Sequence, residues 1–273
     1  MLVAMAVLAL IVVILSSLIN QVSTTWTTSE SSNERRQNGR FIIDAISRDL
    51  QVAMLPVARS ATDSLQFIKN PASVSELYPD AVFWQAPIAS NSSLGEIEEV
   101  GYFVRWLSLP GSQCQAVLCR FAVNAEGQNG APNSEYRIVT DPGNWVNSDL
   151  LSNVAPADKA HQYEGLFAEN VIGFWAKCLD RAGNDLGAYD SRKSISPGTL
   201  PAAVEVGVVV LDSRSASRVT PALRDRLIAL AQDRSRAPTA EAFLRTLLSD
   251  NSFSSLSGGA RAFSTTVPIL SSK

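Results

Sequence analysis

The side chains of this chain that are able to do chemistry are few and widely spaced. His161 is the only histidine, and it lies in the polar stretch "ADKAHQYEG", which is typical of a loop. A Ser/His/Asp triad would depend on His161, and no G-x-S-x-G motif accompanies it. The letters of a G-x-x-x-x-G-K-[ST] phosphate loop, an H-E-x-x-H zinc helix and a G-x-G-x-x-G dinucleotide turn are also absent. We therefore expect no catalytic residue, no cofactor and no metal ion, and predict that the chain is not an enzyme.

The three cysteines point to structure rather than to redox chemistry. Cys114 and Cys119 stand five residues apart in "PGSQCQAVLCRF", which is too wide for a C-x-x-C motif and offers no further zinc ligand. In an exported domain, a disulfide between Cys114 and Cys119 would close this short loop. A bond between Cys119 and Cys178 is the alternative, and the sequence leaves the choice open.

One acidic segment offers oxygen ligands. "LDRAGNDLGAYD" contains Asp180, Asn184, Asp185 and Asp190, and carboxylate and amide oxygens are the ligands of Ca²⁺. The segment lacks the alternating positions of a twelve-residue calcium loop, so a plain turn is the prediction and a calcium site the alternative. The sequence "NSS" at Asn91 is a weak match to an N-glycosylation acceptor.

Composition excludes one class of partner. The chain has 23 basic and 26 acidic residues and a net charge of −3, so it carries no electrostatic footprint for nucleic acid. Its five Trp and ten Phe suit an ordinary globular interior. We divide the chain into an N-terminal segment, residues 1–55, and a globular domain, residues 56–273.

The elements that would position these groups begin with an apolar run. "MLVAMAVLALIVVILSSLIN" opens the chain, and the first charged residue is Glu30. No basic residue precedes the run, unlike in a secretory signal peptide. As a helix, residues 1–19 measure about 28 Å, close to the hydrocarbon thickness of a bilayer, so a membrane span is the prediction and a buried core helix the alternative. The candidate assembly face of this helix consists of Leu2, Val3, Met5, Leu8, Ile11 and Leu15.

The rest of the N-terminal segment changes character twice. The stretch "QVSTTWTTSESSNERRQNGR" is rich in Ser and Thr, which are poor helix formers, so the N-terminal segment is expected to be either one long helix or a helix with a loosened middle. From Arg40 onward, Ile42, Ile46 and Leu50 recur at helical spacing, so an amphipathic helix is expected until Pro56 stops it.

The globular part is predicted to be α+β. "EVGYFVRWLSL" and "LCRFAVNAEG" alternate between apolar faces and indicate an antiparallel hairpin, and "LPAAVEVGVVVLDS" and "ARAFSTTVPIL" read as further strands. "TPALRDRLIALAQDRS" and "PTAEAFLRTLLSD" each begin with a hydroxyl residue and a proline, as helices do. The predicted fold is a long N-terminal hydrophobic and amphipathic helix packed on an antiparallel β-sheet domain, with two extra helices near the C-terminus.

Together these segments resemble a known family. The apolar run, "RRQNGR" and "FIIDAISRDLQVAM" resemble bacterial type IV pilin-like proteins, and most of all the J class of minor pseudopilins of type II secretion systems. The segments "VGYFVRW", "LCRF", "VIGFWAKCLDRAGN" and "LPAAVEVGVVVLD" follow in the order of that class, and Asp49 matches its acidic residue at the helix end. The two C-terminal helices are more similar to prepilin-like proteins of verrucomicrobial gene cassettes.

The resemblance implies a function. A pilin-like chain is a structural subunit that assembles through its N-terminal helix into a type IV pilus-like fibre or into the fibre or tip of a type II secretion pseudopilus. Its partners would be other pilin or pseudopilin subunits and, before assembly, inner-membrane lipid. The chain would be a single-pass inner-membrane protein with its domain in the periplasm, and later part of a cell-envelope fibre.

Two other classes of function remain open at this point. A membrane-anchored ligand-binding or adhesion domain would use an exposed aromatic residue such as Trp145, since Trp106 lies on the apolar face of its predicted strand. An anchored periplasmic enzyme would depend on His161, and no motif in the sequence supports it.

Overall fold

The computed structural model describes residues 2–53, 66–72, 74, 78–87, 97–111, 113–123, 145–146, 166–191 and 200–269. Within the first helix, side chains are described from Ile11 onward, except at positions 13, 20, 23–25, 27–28 and 31. His161 and Asn91, for which the sequence made predictions, lie outside the described residues.

Helix α1 spans Leu2–Gln51. It continues without interruption through the Ser- and Thr-rich stretch, so the loosened middle, one of the two expected forms, is not observed. Each Ser or Thr costs a helix only about 0.5 kcal/mol relative to Ala, and the stretch is flanked on both sides by helix-forming sequence without proline. The helix ends at Gln51, a few residues before Pro56.

Five strands form the larger sheet, which is antiparallel throughout and has the order β1-β2-β3-β4-β5. They are β1 Phe67–Lys69, β2 Ala81–Ala86, β3 Glu98–Leu109, β4 Gln113–Val123 and β5 Leu166–Glu169. Three strands form the smaller antiparallel sheet in the order β6-β7-β8. They are β6 Val171–Leu179, β7 Ala203–Leu211 and β8 Ala260–Pro268.

Strands β3 and β4 form the predicted hairpin, which is confirmed. Their register runs from Glu99 opposite Val123 to Leu109 opposite Gln113. The turn contains Gly111, whose φ of 81° lies in the left-handed region that glycine adopts without a steric penalty.

The hairpin buries both of its faces, in two separate clusters of the core. Val100, Tyr102 and Val104 belong to the cluster that also holds the end of α1 and the smaller sheet. Phe121 and Val123 point into a second cluster on the other side of the larger sheet. The period-two pattern of the sequence predicted these faces, because successive side chains of a strand point to opposite sides.

Short helices fill the chain between β7 and β8. They are α2 Ser213–Ala216, α3 Pro221–Gln232, α4 Ala240–Ser249, a 3₁₀ turn Asn251–Phe253 and α5 Ser254–Ser257. Thr220 caps α3 by accepting a hydrogen bond from the Leu223 N–H, and Thr239 caps α4 in the same way. The ring of Trp175 in β6 contacts the ring of Phe243 in α4 at a tilted angle of 50°, which packs α4 against the smaller sheet.

The predicted architecture requires correction. The described strands form two antiparallel sheets rather than one, and short helices accompany them. The division falls at Asn170, whose φ of 62° turns the chain between β5 and β6, so that consecutive segments enter different sheets. Alternation in a sequence indicates which face of a strand is buried, but it carries no information on which sheet the strand joins.

The predicted membrane span over residues 1–19 is not found. Among the helices of the described residues, none has both the length and the apolar character needed to cross a bilayer.

Candidate functional site

The first part of α1 exposes a row of apolar side chains. Eight described side chains between positions 11 and 26 are 48% to 72% exposed: Ile11, Val12, Ile14, Leu15, Leu18, Ile19, Val22 and Trp26. Single exposed apolar residues are normal on a protein surface, but a contiguous apolar surface marks an interaction site. This surface is the candidate functional site, and we refer to these eight side chains as the apolar row.

The predicted assembly face falls partly on this row. Ile11 is 48% exposed and Leu15 is 52% exposed. The side chains of Leu2, Val3, Met5 and Leu8 lie outside the described residues.

The second part of α1 is anchored to the domain along one stripe. Gly39, Ile42, Ile46 and Leu50 follow one another at spacings of three or four residues and are all buried. This spacing places them on one side of the helix. Arg35 has the same phase and is also turned toward the domain, so the anchored stripe begins where the apolar row has ended.

An ion pair fixes the beginning of the anchored stripe. Arg35 Nη1 donates to Asp212 Oδ2 at 3.0 Å and to the Gly258 carbonyl at 2.8 Å. Both side chains of the pair are about nine-tenths buried, with 12% and 9% exposed. Asp212 also caps α2 by accepting from the Ser215 N–H at 2.7 Å. One carboxylate therefore holds both α1 and the first turn after β7.

A close approach follows one turn further along the helix. A Cβ atom on Gly39 would lie 2.1 Å from the nearest carbon of the Phe263 ring, a distance that real atoms do not reach. Phe263 belongs to β8, and its ring lies 5.6 Å from the guanidinium carbon of Arg261. Glycine thus lets the helix pack closely on the edge strand of the smaller sheet, and a larger residue here would have to displace the Phe263 ring.

A buried polar cluster fixes the end of α1. Asp49 Oδ2 accepts from Arg120 Nε and from the Tyr102 hydroxyl, each at 2.7 Å. Arg120 also lies 3.6 Å from Glu98. Burial, and next the negative charge of Asp49, raise the pKa of Tyr102 above its ordinary value, so this hydroxyl keeps its proton. The cluster ties the last turn of α1 to β3 and β4.

Another buried carboxylate, Asp80, lies away from α1. Asp80 is 1% exposed and accepts from the Ala176 N–H at 2.9 Å, from the Asn70 amide at 2.6 Å and from the Arg234 guanidinium. These donors come from β6, from the residue that follows β1 and from the connection between α3 and α4. Asp80 is therefore a structural link between the sheets.

The structure separates the cysteines that the sequence paired. All three are buried and free. Cys114 and Cys119 lie on the same strand, five residues apart, which corresponds to about 16 Å in extended backbone and to opposite faces. A disulfide requires Cα atoms within about 7 Å, so the Cys114 to Cys119 bond is excluded in this fold. Cys119 and Cys178 belong to different core clusters, which also argues against the alternative.

The other candidate residues have structural surroundings. Asp180 accepts from the N–H groups of Ala182 and Asn184 and from the Asn184 side chain, all within 2.9 Å, and these bonds lower its pKa. This arrangement is a turn, as predicted. Across the described parts of the chain, no three His, Cys, Asp or Glu side chains are grouped so that they could hold a metal ion.

Trp145 is fully buried and donates from its ring nitrogen to Gln66 at 2.7 Å. It is not the exposed aromatic that the adhesion hypothesis required. Trp106 is partly buried and packs against the main core cluster, in agreement with its place on the apolar face of β3.

Arg35, Gly39 and Asp212 were not among the residues predicted from the sequence. A signal for the first two was present, because extending the stripe of Ile42 and Ile46 backward by steps of three and four reaches Gly39 and Arg35. No signal identified Asp212, which lies 177 residues from its partner.

Comparisons with known proteins add no name to this arrangement: no family model matches the chain, and no curated protein matches it.

Proposed function

We propose that the chain is a structural subunit of a type IV pilus-like or type II secretion pseudopilus fibre, assembled through the first part of α1. The observation that carries the proposal is the apolar row, whose eight side chains are about half exposed or more. The sequence resemblance to pilin-like proteins supports the same conclusion. The partners are other pilin or pseudopilin subunits.

The energetics favour a partner for this helix. Fully burying one Leu, Ile or Val side chain stabilises a protein by about 1.5–3 kcal/mol. Covering the half-exposed apolar row would therefore contribute on the order of 10 kcal/mol to association. Neighbouring apolar helices supply such a cover. In the proposed cycle, lipid of the inner membrane supplies it before assembly, with the domain in the periplasm and the subunit moving into the cell-envelope fibre afterwards.

The anchored stripe suits the same role. The ion pair of Arg35, the close packing at Gly39 and the cluster around Asp49 hold the second part of α1 on the domain at three points. Because α1 is fixed in this way, packing of the apolar rows of two subunits also sets the relative positions of their domains. The ion pair of Arg35 and the cluster around Asp49 therefore keep the subunit rigid.

The test compares two triple substitutions in the full-length chain. Ile14, Leu18 and Val22 are changed to Ser in one variant, and the exposed Leu109, Leu186 and Leu248 are changed to Ser in the matched control. Assembly is measured as the fraction of protein in sedimenting fibres after dilution from detergent. We expect the first variant to lose assembly and the control to retain it, with the thermal unfolding of the domain unchanged in both.

Equal assembly of the two variants would overturn the proposal. A shorter protein lacking residues 1–25 gives a second measurement: it should fold without joining fibres of the full-length chain.

A further inference from the structure

Two pairs of like charges follow the apolar row on α1. Glu30 and Glu34 stand four residues apart, as do Arg36 and Arg40, and all four side chains are exposed. At 3.6 residues per turn, each pair lies on one side of the helix, and the two sides are about 120° apart. Both pairs lie outside the anchored stripe, and all four side chains remain exposed although Glu34 contacts Ser213 of the domain.

The carboxylate side borders an open depression on the surface of α1. It has a volume of about 460 Å³ and is lined by Trp26, Ser29, Glu30, Asn33, Glu34, Gln37 and Asn38. One oxygen of Glu34 accepts from the Ser213 hydroxyl at 2.8 Å, which leaves its second oxygen for another donor.

The guanidinium side is unpaired within the described part of the protein. Among those residues, no carboxylate lies within 4 Å of the Arg36 or Arg40 guanidinium. The neighbouring Arg35, by contrast, is committed to Asp212. Two guanidinium groups with the same four-residue spacing as the two carboxylates are thus available to a second molecule.

We infer that the occupant of the depression is a second copy of this chain, packed parallel to the first and shifted by six residues along α1. This inference rests on the proposed function and specifies its register. A shift of six residues, about 9 Å, places Glu30 of one copy beside Arg36 of the next and Glu34 beside Arg40. A shift of two or of ten residues pairs only one carboxylate with one guanidinium, so the shift of six is the register with both ion pairs.

The orientation follows from the rest of the helix. An antiparallel copy would also match the four charges, but it would place the apolar row beside the charged second part of α1. A twofold-symmetric antiparallel pair would further require both charge pairs to lie on one face, whereas they are about 120° apart. In the parallel arrangement, residues 2–13 of one copy lie beside residues 8–19 of the next, so apolar sequence covers apolar sequence.

The type of assembly follows from the two sides being different. The carboxylate side of one copy contacts the guanidinium side of the next, which is a head-to-tail contact. However many copies are added, the assembly keeps one unpaired carboxylate side at one end and one unpaired guanidinium side at the other. Contacts of this kind produce open helical fibres unless the rotation closes them into a ring.

The first experiment measures the register by disulfide cross-linking of full-length chains. A chain with Glu30→Cys is mixed with a chain carrying Arg36→Cys, and in the matched control with a chain carrying Arg40→Cys. The native cysteines are at most 4% exposed and do not compete. We expect at least fivefold more cross-link between positions 30 and 36 than between 30 and 40. Equal yields, or a dominant cross-link between two copies of position 30, would overturn the inference.

The second experiment exchanges the charges at low salt, where surface ion pairs act most strongly. Glu30→Arg with Glu34→Arg, or Arg36→Glu with Arg40→Glu, should each lower fibre yield at least tenfold. Combining all four changes in one chain should restore the yield, as should mixing the two double variants. Fibres that form equally in every variant contradict the register alone, whereas assembly that survives the Ile14, Leu18 and Val22 substitutions contradicts the proposed function.

Discussion

The guanidinium of Arg35 lies 3.0 Å from the carboxylate of Asp212, and this pair marks the position where α1 changes from an exposed rod to an anchored helix. Before it, the described apolar side chains of α1 are half exposed or more. After it, Gly39, Ile42 and Ile46 are buried against the domain. The apolar row and the anchored stripe are therefore consecutive parts of one helix with different surroundings.

Arg35→Ala should loosen this junction. The substitution removes a charge-assisted hydrogen bond to Asp212 and a second bond to Gly258, so we expect the free energy of unfolding to fall by about 1.5–3 kcal/mol. Hydrogen exchange should accelerate in the turn around Gly39. Arg36→Ala, at an exposed position, is the control and should change the unfolding free energy by less than about 0.5 kcal/mol. Equal effects of the two changes would contradict the assigned role of Arg35.

Gly39→Ala should destabilise the protein although alanine favours helices. The gain in helix propensity is about 1 kcal/mol. The new Cβ would overlap the Phe263 ring, and such overpacking costs about 1–3 kcal/mol or more. Urea unfolding of Gly39→Ala, Phe263→Leu and the double variant tests this contact, because the smaller side chain should recover part of the loss. Additive effects would show that the two residues do not contact each other.

Asp49→Asn should detach the last turn of α1 from the larger sheet. It leaves the buried Arg120 without its closest carboxylate, and removing one member of a buried ion pair costs about 3–5 kcal/mol. The midpoint of urea unfolding should fall accordingly. Asp44→Asn, on the exposed side of the same helix, is the matched control, and a comparable loss in that variant would argue against the cluster.

Thiol titration should find three free cysteines. In denaturant, all three thiols per chain should react with a disulfide reagent without prior reduction, and in the folded protein they should react slowly because they are buried. Loss of two thiols in a non-reduced sample would indicate a disulfide and contradict this fold around β4.

Stability should decrease in alkaline solution. Burial raises the pKa of Cys119 and of Cys178 to about 12, from an ordinary value of 9.0. The folded protein therefore keeps both protons while the unfolded chain releases them above about pH 9, so the stabilisation is complete below that pH and is lost as the pH rises toward 12. Each thiol contributes a slope of up to about 1.4 kcal/mol per pH unit. Urea unfolding at about pH 8 and about pH 10.5 measures this loss, and Cys119→Ala should reduce it.

The local patterns of the sequence determined the local structure. Alternation in "EVGYFVRWLSL" and "LCRFAVNAEG" predicted the hairpin and one apolar face for each strand, because the side-chain period of a strand is fixed by its backbone. A hydroxyl residue with a neighbouring proline located the starts of α3 and α4. The threonine hydroxyl accepts from a free N–H of the first turn in each helix, and Pro221 of α3 also removes one such N–H. The spacing of Ile42, Ile46 and Leu50 predicted the buried side of α1 for the same geometric reason.

Only the tertiary structure decided what those elements meet. The turn at Asn170 divides the strands between two sheets. The distance along β4 keeps Cys114 and Cys119 apart, although their closeness in the sequence had suggested a disulfide between them. The partnership of Arg35 with Asp212 and the fit of Gly39 against Phe263 join residues more than 170 positions apart. Such contacts depend on how whole elements pack, which a periodic pattern does not encode, since periodicity specifies a face and never the partner that covers it.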